Sequence, residues 1–283
     1  MKVSVGLPTH LPGVTREDLL AWARRAEELG FASIVVTDRF AWDQLEPLTV
    51  LAAAAAVTER VMLRTSVVLL PNRGASGPLA KQLATLQHLA AGRLELGVGV
   101  GDRAVDYTLA DGSHRGRHRR LEVMLTEMID IWAGTGEYEV VGPRLTGPIP
   151  ILLGGTGVKS AERVARYGDG WTFAVGSPDD FARGVLHVRE AWRADGRDGR
   201  PRLTAQRYVN VGAQNRASSE AFLRQYFGFL GPAVDHLVAA TPLDAERAVL
   251  VADAFRAREA DELTFLPLST DIGELDRLAE LML

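Results

Sequence analysis

With 283 residues, 47% hydrophobic and 24% charged, the chain has enough apolar material for a sizeable core, and its composition is not that of a disordered segment. Its formal net charge of -4 argues against nucleic acid and anionic membranes as partners. The absence of cysteine excludes disulfides, thiolate zinc sites, iron–sulfur clusters and a cysteine nucleophile.

From its first residues the chain runs into a strand pattern without a long apolar leader, so a cytoplasmic location is expected. Short β-branched runs then alternate with longer segments of helical period, the mark of repeated βα units. Strands are expected at 3–7, 33–37, 61–70, 94–100, 149–153, 170–174, 203–211 and 263–266. The first helix carries its own punctuation, a capping-box spacing at Thr15 and Asp18 and a stop at Gly30. A third helix over 79–91 ends at Gly92 and leads at once into the next strand. The stretch 193–201 is the most loop-like, yet it only joins a helix to a strand. The segment 217–259 reads as helices interrupted at Gly231-Pro232 and Thr241-Pro242. These expectations describe an α/β chain in which residues 1–283 form a single (β/α)8 TIM-barrel domain.

A barrel of this kind places chemistry at the C-terminal ends of its strands and in the loops that follow. That rule selects Pro8 to His10, Thr37 to Phe40, Thr65 to Arg73, Gly99 to Arg103 and Gly154 to Gly157. Glycine-rich strand ends let a planar ring or a phosphate approach the backbone. The run Gly97-Val98-Gly99-Val100-Gly101-Asp102 is not a dinucleotide fingerprint, because Asp102 replaces the last glycine of that motif. Gly154, Gly155 and Thr156 precede a helix and offer amides to a phosphate, or form a tight βα turn. His114 and His118 are four residues apart, but the arginines at 115, 117, 119 and 120 disfavour a bound cation, and no metal is expected. That basic cluster reads instead as a solvated helix start or as a grip on an anionic cofactor tail. Asp38 is read equally as a loop cap, an arginine partner or a catalytic carboxylate. Trp22, Trp132 and Trp192 belong to the helical shell, whereas Trp42 lies where it can face a ligand.

The run from Pro71 and Arg73 through Pro78-Leu79-Ala80-Lys81, Ala84-Thr85-Leu86 and Gly92-Arg93 to Leu96-Gly97-Val98-Gly99 and Gly101 resembles the signature of the luciferase-like monooxygenase superfamily. Glu27 to Phe31, the Asp38 turn, Pro150 with Gly154-Gly155 and Gly168 to Trp171 extend the similarity over about the first two thirds of the chain. The resemblance implies a TIM barrel with coenzyme F420, or alternatively FMN, in its mouth against strand three. It further implies a non-proline cis peptide at Ser66-Val67 behind the ring, with Asp38, Ser66, Val67, Gly99, Val100, Gly101, Gly154, Gly155 and Thr156 as cofactor-binding residues. Asp102 matches an acidic proton donor of deazaflavin dehydrogenases, with N-terminal helix capping as its ordinary alternative. Where many members have Asp-His after strand two, this chain has Asp38-Arg39, and arginine does not accept a proton at neutral pH. Arg39 is therefore expected to hold an anionic substrate or the ionised ring.

The resulting expectation is hydride transfer between F420 and a small organic substrate, in a chain short enough to leave its pocket open. An FMN-dependent two-component monooxygenase and a non-catalytic flavin-binding barrel are the alternatives, the latter favoured by the missing histidine. A metal-dependent hydrolase using His10, Asp38 and His114 lacks a defensible ligand spacing. Among partners, a small molecule is expected and a homodimer is left open.

Overall fold

The computed structural model describes residues 1–145, 147–212 and 216–283. The strand pattern becomes nine parallel segments: β1 (Lys2–Gly6), β2 (Ser33–Val36), β3 (Met62–Thr65), β4 (Val68–Leu69), β5 (Leu94–Gly99), β6 (Ile151–Gly154), β7 (Gly170–Phe173), β8 (Arg202–Val209) and β9 (Glu262–Pro267). β3 and β4 are the two halves of one barrel stave. β3 pairs with β5 through Leu63 and Leu94, and β4 pairs with β5 through Val68 and Val98. Because β1 also joins β2 to β9, the ring closes, and eight staves form a TIM barrel. Each expected strand is present. The stave expected as continuous over 61–70 is interrupted at Ser66-Val67, where the peptide bond is cis.

The helices form where their caps foretell. α1 (Arg16–Leu29) begins with the reciprocal Thr15–Asp18 capping box and ends at Gly30, whose φ of 90° a side chain would resist. The rest of the outer ring is α2 (Pro47–Ala55), α3 (Ser76–Leu89), α4 (Ala104–Leu109), α5 (Arg117–Ala133), α6 (Val158–Tyr167), α7 (Pro178–Ala194), α10 (Ala245–Arg256) and α11 (Gly273–Met282). Between β8 and α10 lie α8 (Arg216–Tyr226), a 3-10 turn at Gly228–Ala233 and α9 (Val234–Ala240). This excursion packs Leu223, Tyr226, Phe227, Val238 and Leu243 with Leu268, just after β9, into a small core separate from the main one, and it makes a cap. Trp22 and Trp192 are buried in the main core, as expected of shell tryptophans. No described helix is long and apolar enough to cross a membrane.

Inside the barrel the floor is ionic. Arg64 on β3 is 1% exposed and lies 3.1 Å from Glu95 on β5 and 2.7 Å from Glu262 on β9, and it donates to Thr264 at 2.7 Å. Arg202 on β8 pairs with both carboxylates from the rim, and Ser4 and Ser33 donate to Glu262. Burial raises the pKa of Glu262, but Arg64, Arg202 and the two hydroxyls outweigh it and hold the carboxyl at about 2, against an ordinary 4.5. A depressed carboxyl stabilises the fold fully above its unfolded value and loses that contribution as pH falls through the folded one. Parent protein should therefore lose on the order of 3 kcal/mol from this group between pH 4.5 and 2. Glu262→Gln, which leaves Arg64 short of a partner, should cost about 3–5 kcal/mol at neutral pH, a deficit that shrinks through the same acid window. Denaturant midpoints of both proteins across pH measure this; a pH-independent difference would contradict it.

Candidate active site

The mouth is built where the interrupted stave meets two glycines. A Cβ on Gly99 would come within 2.7 Å of Val67 Cγ2, and one on Gly154 within 3.2 Å of Val67 Cγ1. These glycines therefore first accommodate the Val67 side chain, which is itself only half-buried and faces the mouth between β5 and β6. Ser66 is buried within 3.3 Å of the Thr172 hydroxyl. Val100 and Gly101 follow, half-buried, with Gly101 at φ 67° against Leu69. The shelf formed by Ser66, Val67, Gly99, Val100, Gly101 and Gly154 thus brings most of the expected cofactor residues together.

Beyond it, Gly155 and Thr156 are exposed and lead through Gly157 into α6. The amides of Val158 and Lys159 open this helix, so they have no acceptor within it. Gly155 is fixed from behind: its carbonyl accepts from Trp171 Nε1 at 2.8 Å, and a Cβ there would strike Ser160 Oγ at 2.5 Å. A bulky residue at 155 would distort the turn itself. It is thus a poor probe of ligand contact, contrary to what a free glycine turn suggests. Lys159 lies on the first turn of α6, and Arg117 and Arg163, paired with Asp102 and Glu122, flank His118. His118 is lowered by burial and by those two arginines.

Asp38 is committed elsewhere. Its Oδ2 accepts from the Leu69 amide at 2.9 Å and pairs with Arg73 at 2.5 Å, tying β4 to the end of β2. Burial pushes its pKa up against the pull of Arg73 and Leu69. This is the arginine-partner reading, and the cofactor contact expected of Asp38 gives way to a structural one. Asp102 does not cap α4, whose N-cap is Arg103; its side chain is 82% exposed and lies 3.6 Å from Arg117. The buried carboxylate nearby is Asp106, which accepts from the Ala41 amide at 2.7 Å and pins α4 to the loop after β2.

Arg39 corrects the reading most clearly. It is 8% exposed, and its guanidinium carbon lies 3.6 Å from the centroid of Tyr226 while Nη1 donates to the Tyr226 carbonyl at the end of α8. A buried guanidinium must satisfy its donors, and the cap supplies both an acceptor and an aromatic face. Arg39 therefore latches the cap and is not presented to a substrate. The pocket is correspondingly covered on this side. Trp42, Tyr208, Phe222 and Tyr226 surround the fully buried His10, with ring centroids 5.0–6.2 Å apart. His10 Nε2 is 2.9 Å from the Pro267 carbonyl, and burial lowers its pKa to about 4, so the imidazole is neutral near pH 7. Sequence reasoning noticed His10 and Trp42 but not the cap aromatics, although Phe222, Tyr226, Phe227 and Phe229 crowd a short run before Gly231-Pro232.

Thr9 Oγ1, His10 Nδ1 and the Asn72 amide group, beyond strand C-termini, and Gln206 Oε1 within β8 are buried without a hydrogen-bond partner among the described residues. Such groups suit a polar ligand or water. Together with the half-exposed Val67 shelf and the α6 amides, they fit a planar cofactor with a phosphate tail.

A model of the luciferase-like monooxygenase family matches residues 1–279. The chain belongs to this family. Among its relatives, an uncharacterized protein of Mycobacterium tuberculosis is 36% identical over 176 residues, covering 57% of this chain and 61% of that protein. An F420-dependent glucose-6-phosphate dehydrogenase of Beutenbergia cavernae is 34% identical over 179 residues, covering 56% and 53%. The matched stretch thus spans less than two thirds of either relative. A solved F420-dependent secondary alcohol dehydrogenase, in complex with an F420-acetone adduct, superposes with a TM-score of 0.83 at 21% identity over 100% of this chain and 98% of that one, which shows the shared fold.

The latch has a direct test. Arg39→Ala removes a desolvated cation–π contact and a charge-assisted hydrogen bond, on the order of 2–4 kcal/mol together. Limited proteolysis should then cut within 216–240 at least tenfold faster, while far-ultraviolet dichroism keeps the barrel signal. Unchanged cleavage would show that the cap does not depend on Arg39.

Proposed function

We propose that this chain is an oxidoreductase that binds coenzyme F420 in its mouth and exchanges hydride between it and a small organic substrate. The observation that carries the reading is the half-exposed Val67 shelf, seated between Gly99 and Gly154 with the α6 amides just beyond it. The activity named for the Beutenbergia cavernae relative favours F420 over FMN. When bound, a deazaflavin supplies a ring carbon that passes hydride and reacts poorly with oxygen. Val67 and the shelf glycines would hold the ring, and the Val158 and Lys159 amides with the Lys159 ammonium would hold the anionic tail. The cap aromatics over His10 exclude water from the β1–β2 side of the mouth. Asp102, which does not cap α4 and lies beside Arg117, would serve as the proton-transfer partner of a substrate bound over the shelf.

Titrating the protein separately with F420 and FMN, followed by fluorescence, tests the cofactor. Saturable F420 binding is expected, weakened about tenfold and made less salt-sensitive by Lys159→Glu. Binding of FMN in preference to F420 would instead favour the monooxygenase chemistry in the family's description.

For the proton, Asp102→Asn should keep F420 affinity and stability while lowering turnover by about a hundredfold, the usual contribution of a positioned general acid. Single-turnover hydride transfer with an accepted substrate reads this out. Product release at the parent rate would remove Asp102 from the reaction.

A further inference from the structure

Away from the Val67 shelf, a cleft of about 460 Å³ opens along the seam between the β7–α7 loop and the cap. Its apolar walls are Val175 on the loop side and Phe227, Leu230 and Leu237 on the cap side. Two charged residues also line it, Arg207 on β8 and Asp180 on α7. Strand alternation turns Arg207 to the outer face of β8, opposite Gln206 and away from the barrel interior. Its guanidinium carbon lies 4.5 Å from the Phe255 centroid and 5.2 Å from that of Phe173.

The polar contacts of Arg207 are incomplete in a particular way. Nη1 donates to the Gln206 and Ala174 carbonyls at 2.6 and 3.3 Å, and Nη2 donates to the Gly176 carbonyl. All of these acceptors are neutral. No carboxylate among the described residues lies within ion-pair distance of Arg207, and Asp180, the acid whose field reaches it, is bound to Arg183. Nε makes no hydrogen bond to a described residue, and Nη2 makes one of its two, so donors remain for a carboxylate. Burial pulls the guanidinium down to about 10, so it stays charged at neutral pH. Half-buried against two phenylalanines and with only neutral acceptors, the cation gains from an anion that arrives from solvent.

We propose that this seam cleft binds a small amphipathic monocarboxylate, with the carboxylate on Arg207 and the hydrocarbon part along Phe227, Leu230 and Leu237. With the Asp180 carboxylate in the lining paired to Arg183, the Arg207 guanidinium is left to match one negative charge, and the volume is within the range of small-molecule sites. Tyr208, itself one of the rings around His10, and its neighbour Phe227 form the wall that the cleft shares with that cluster, and no residue of the Val67 shelf lines the cleft. It does not depend on which cofactor the mouth takes.

Calorimetric titration of the full chain with octanoate, and with 1-octanol as its uncharged counterpart, tests the proposal. Octanoate should bind saturably at one site and octanol at least tenfold more weakly, the worth of a charge-assisted hydrogen bond. Arg207→Gln should weaken octanoate at least tenfold and leave octanol unchanged. Leu237→Trp, which narrows the cleft from the cap and keeps Arg207, should weaken both, so the test survives if the first variant folds poorly. F420 titrated into the octanoate-loaded protein should bind as it does without octanoate. Equal affinities for octanoate and octanol, parent-like binding in both variants, competition with F420, or no saturable binding would each overturn the assignment.

Discussion

One buried cation organises the barrel. Arg64 reaches from β3 to Glu95 on the adjacent β5 and across the interior to Glu262 on β9, a stave that is not its neighbour in the ring. With Arg202 the group balances two positive against two negative charges, which makes burial tolerable. Such a network is weak evidence for stability when compared with an apolar core, but removing one partner is expensive. It therefore constrains which strands face one another more than it deepens the energy minimum. The charged layer lies toward the N-terminal ends of β5, β8 and β9, leaving the C-terminal ends free to vary.

At that variable end the same strands meet a different constraint. The stave broken at Ser66-Val67 directs Val67 inward, and Gly99 and Gly154 lack the atoms that would collide with it. Asp38 and Arg73 secure the second half of the stave from behind. A carboxylate expected to meet a ligand thus supports the surface that would meet it. The exposed Gly155 to Lys159 turn continues that surface toward solvent.

The cap supplies what a short barrel lacks. Its small aromatic core closes the mouth over His10, and Arg39, in place of a histidine common in the family, fastens it through Tyr226. Exchanging a proton acceptor for a permanent cation trades one chemical option for a mechanical one. The seam left between cap and barrel holds Arg207, which no carboxylate among the described residues pairs directly.

Period and punctuation made the barrel legible in the sequence. Alternating β-branched runs and helical stripes placed every stave to within about two residues, and Thr15, Asp18 and Gly30 marked the limits of α1, because strand pleat, helix period and cap geometry depend on near neighbours along the chain. The glycine-rich strand ends and Ser66-Val67 were also marked as the mouth, since barrel topology assigns strand C-termini that place. What tertiary structure alone decided was the partner of each charged side chain. Asp38 with Arg73, Arg39 with Tyr226 and Arg64 with Glu262 are separated by 35, 187 and 198 positions, and charge has no period that would announce such pairs. Whether a lone arginine meets substrate, a carbonyl or a carboxylate is set by which surfaces the closed ring brings within a few ångströms, and that information exists only once the chain has folded.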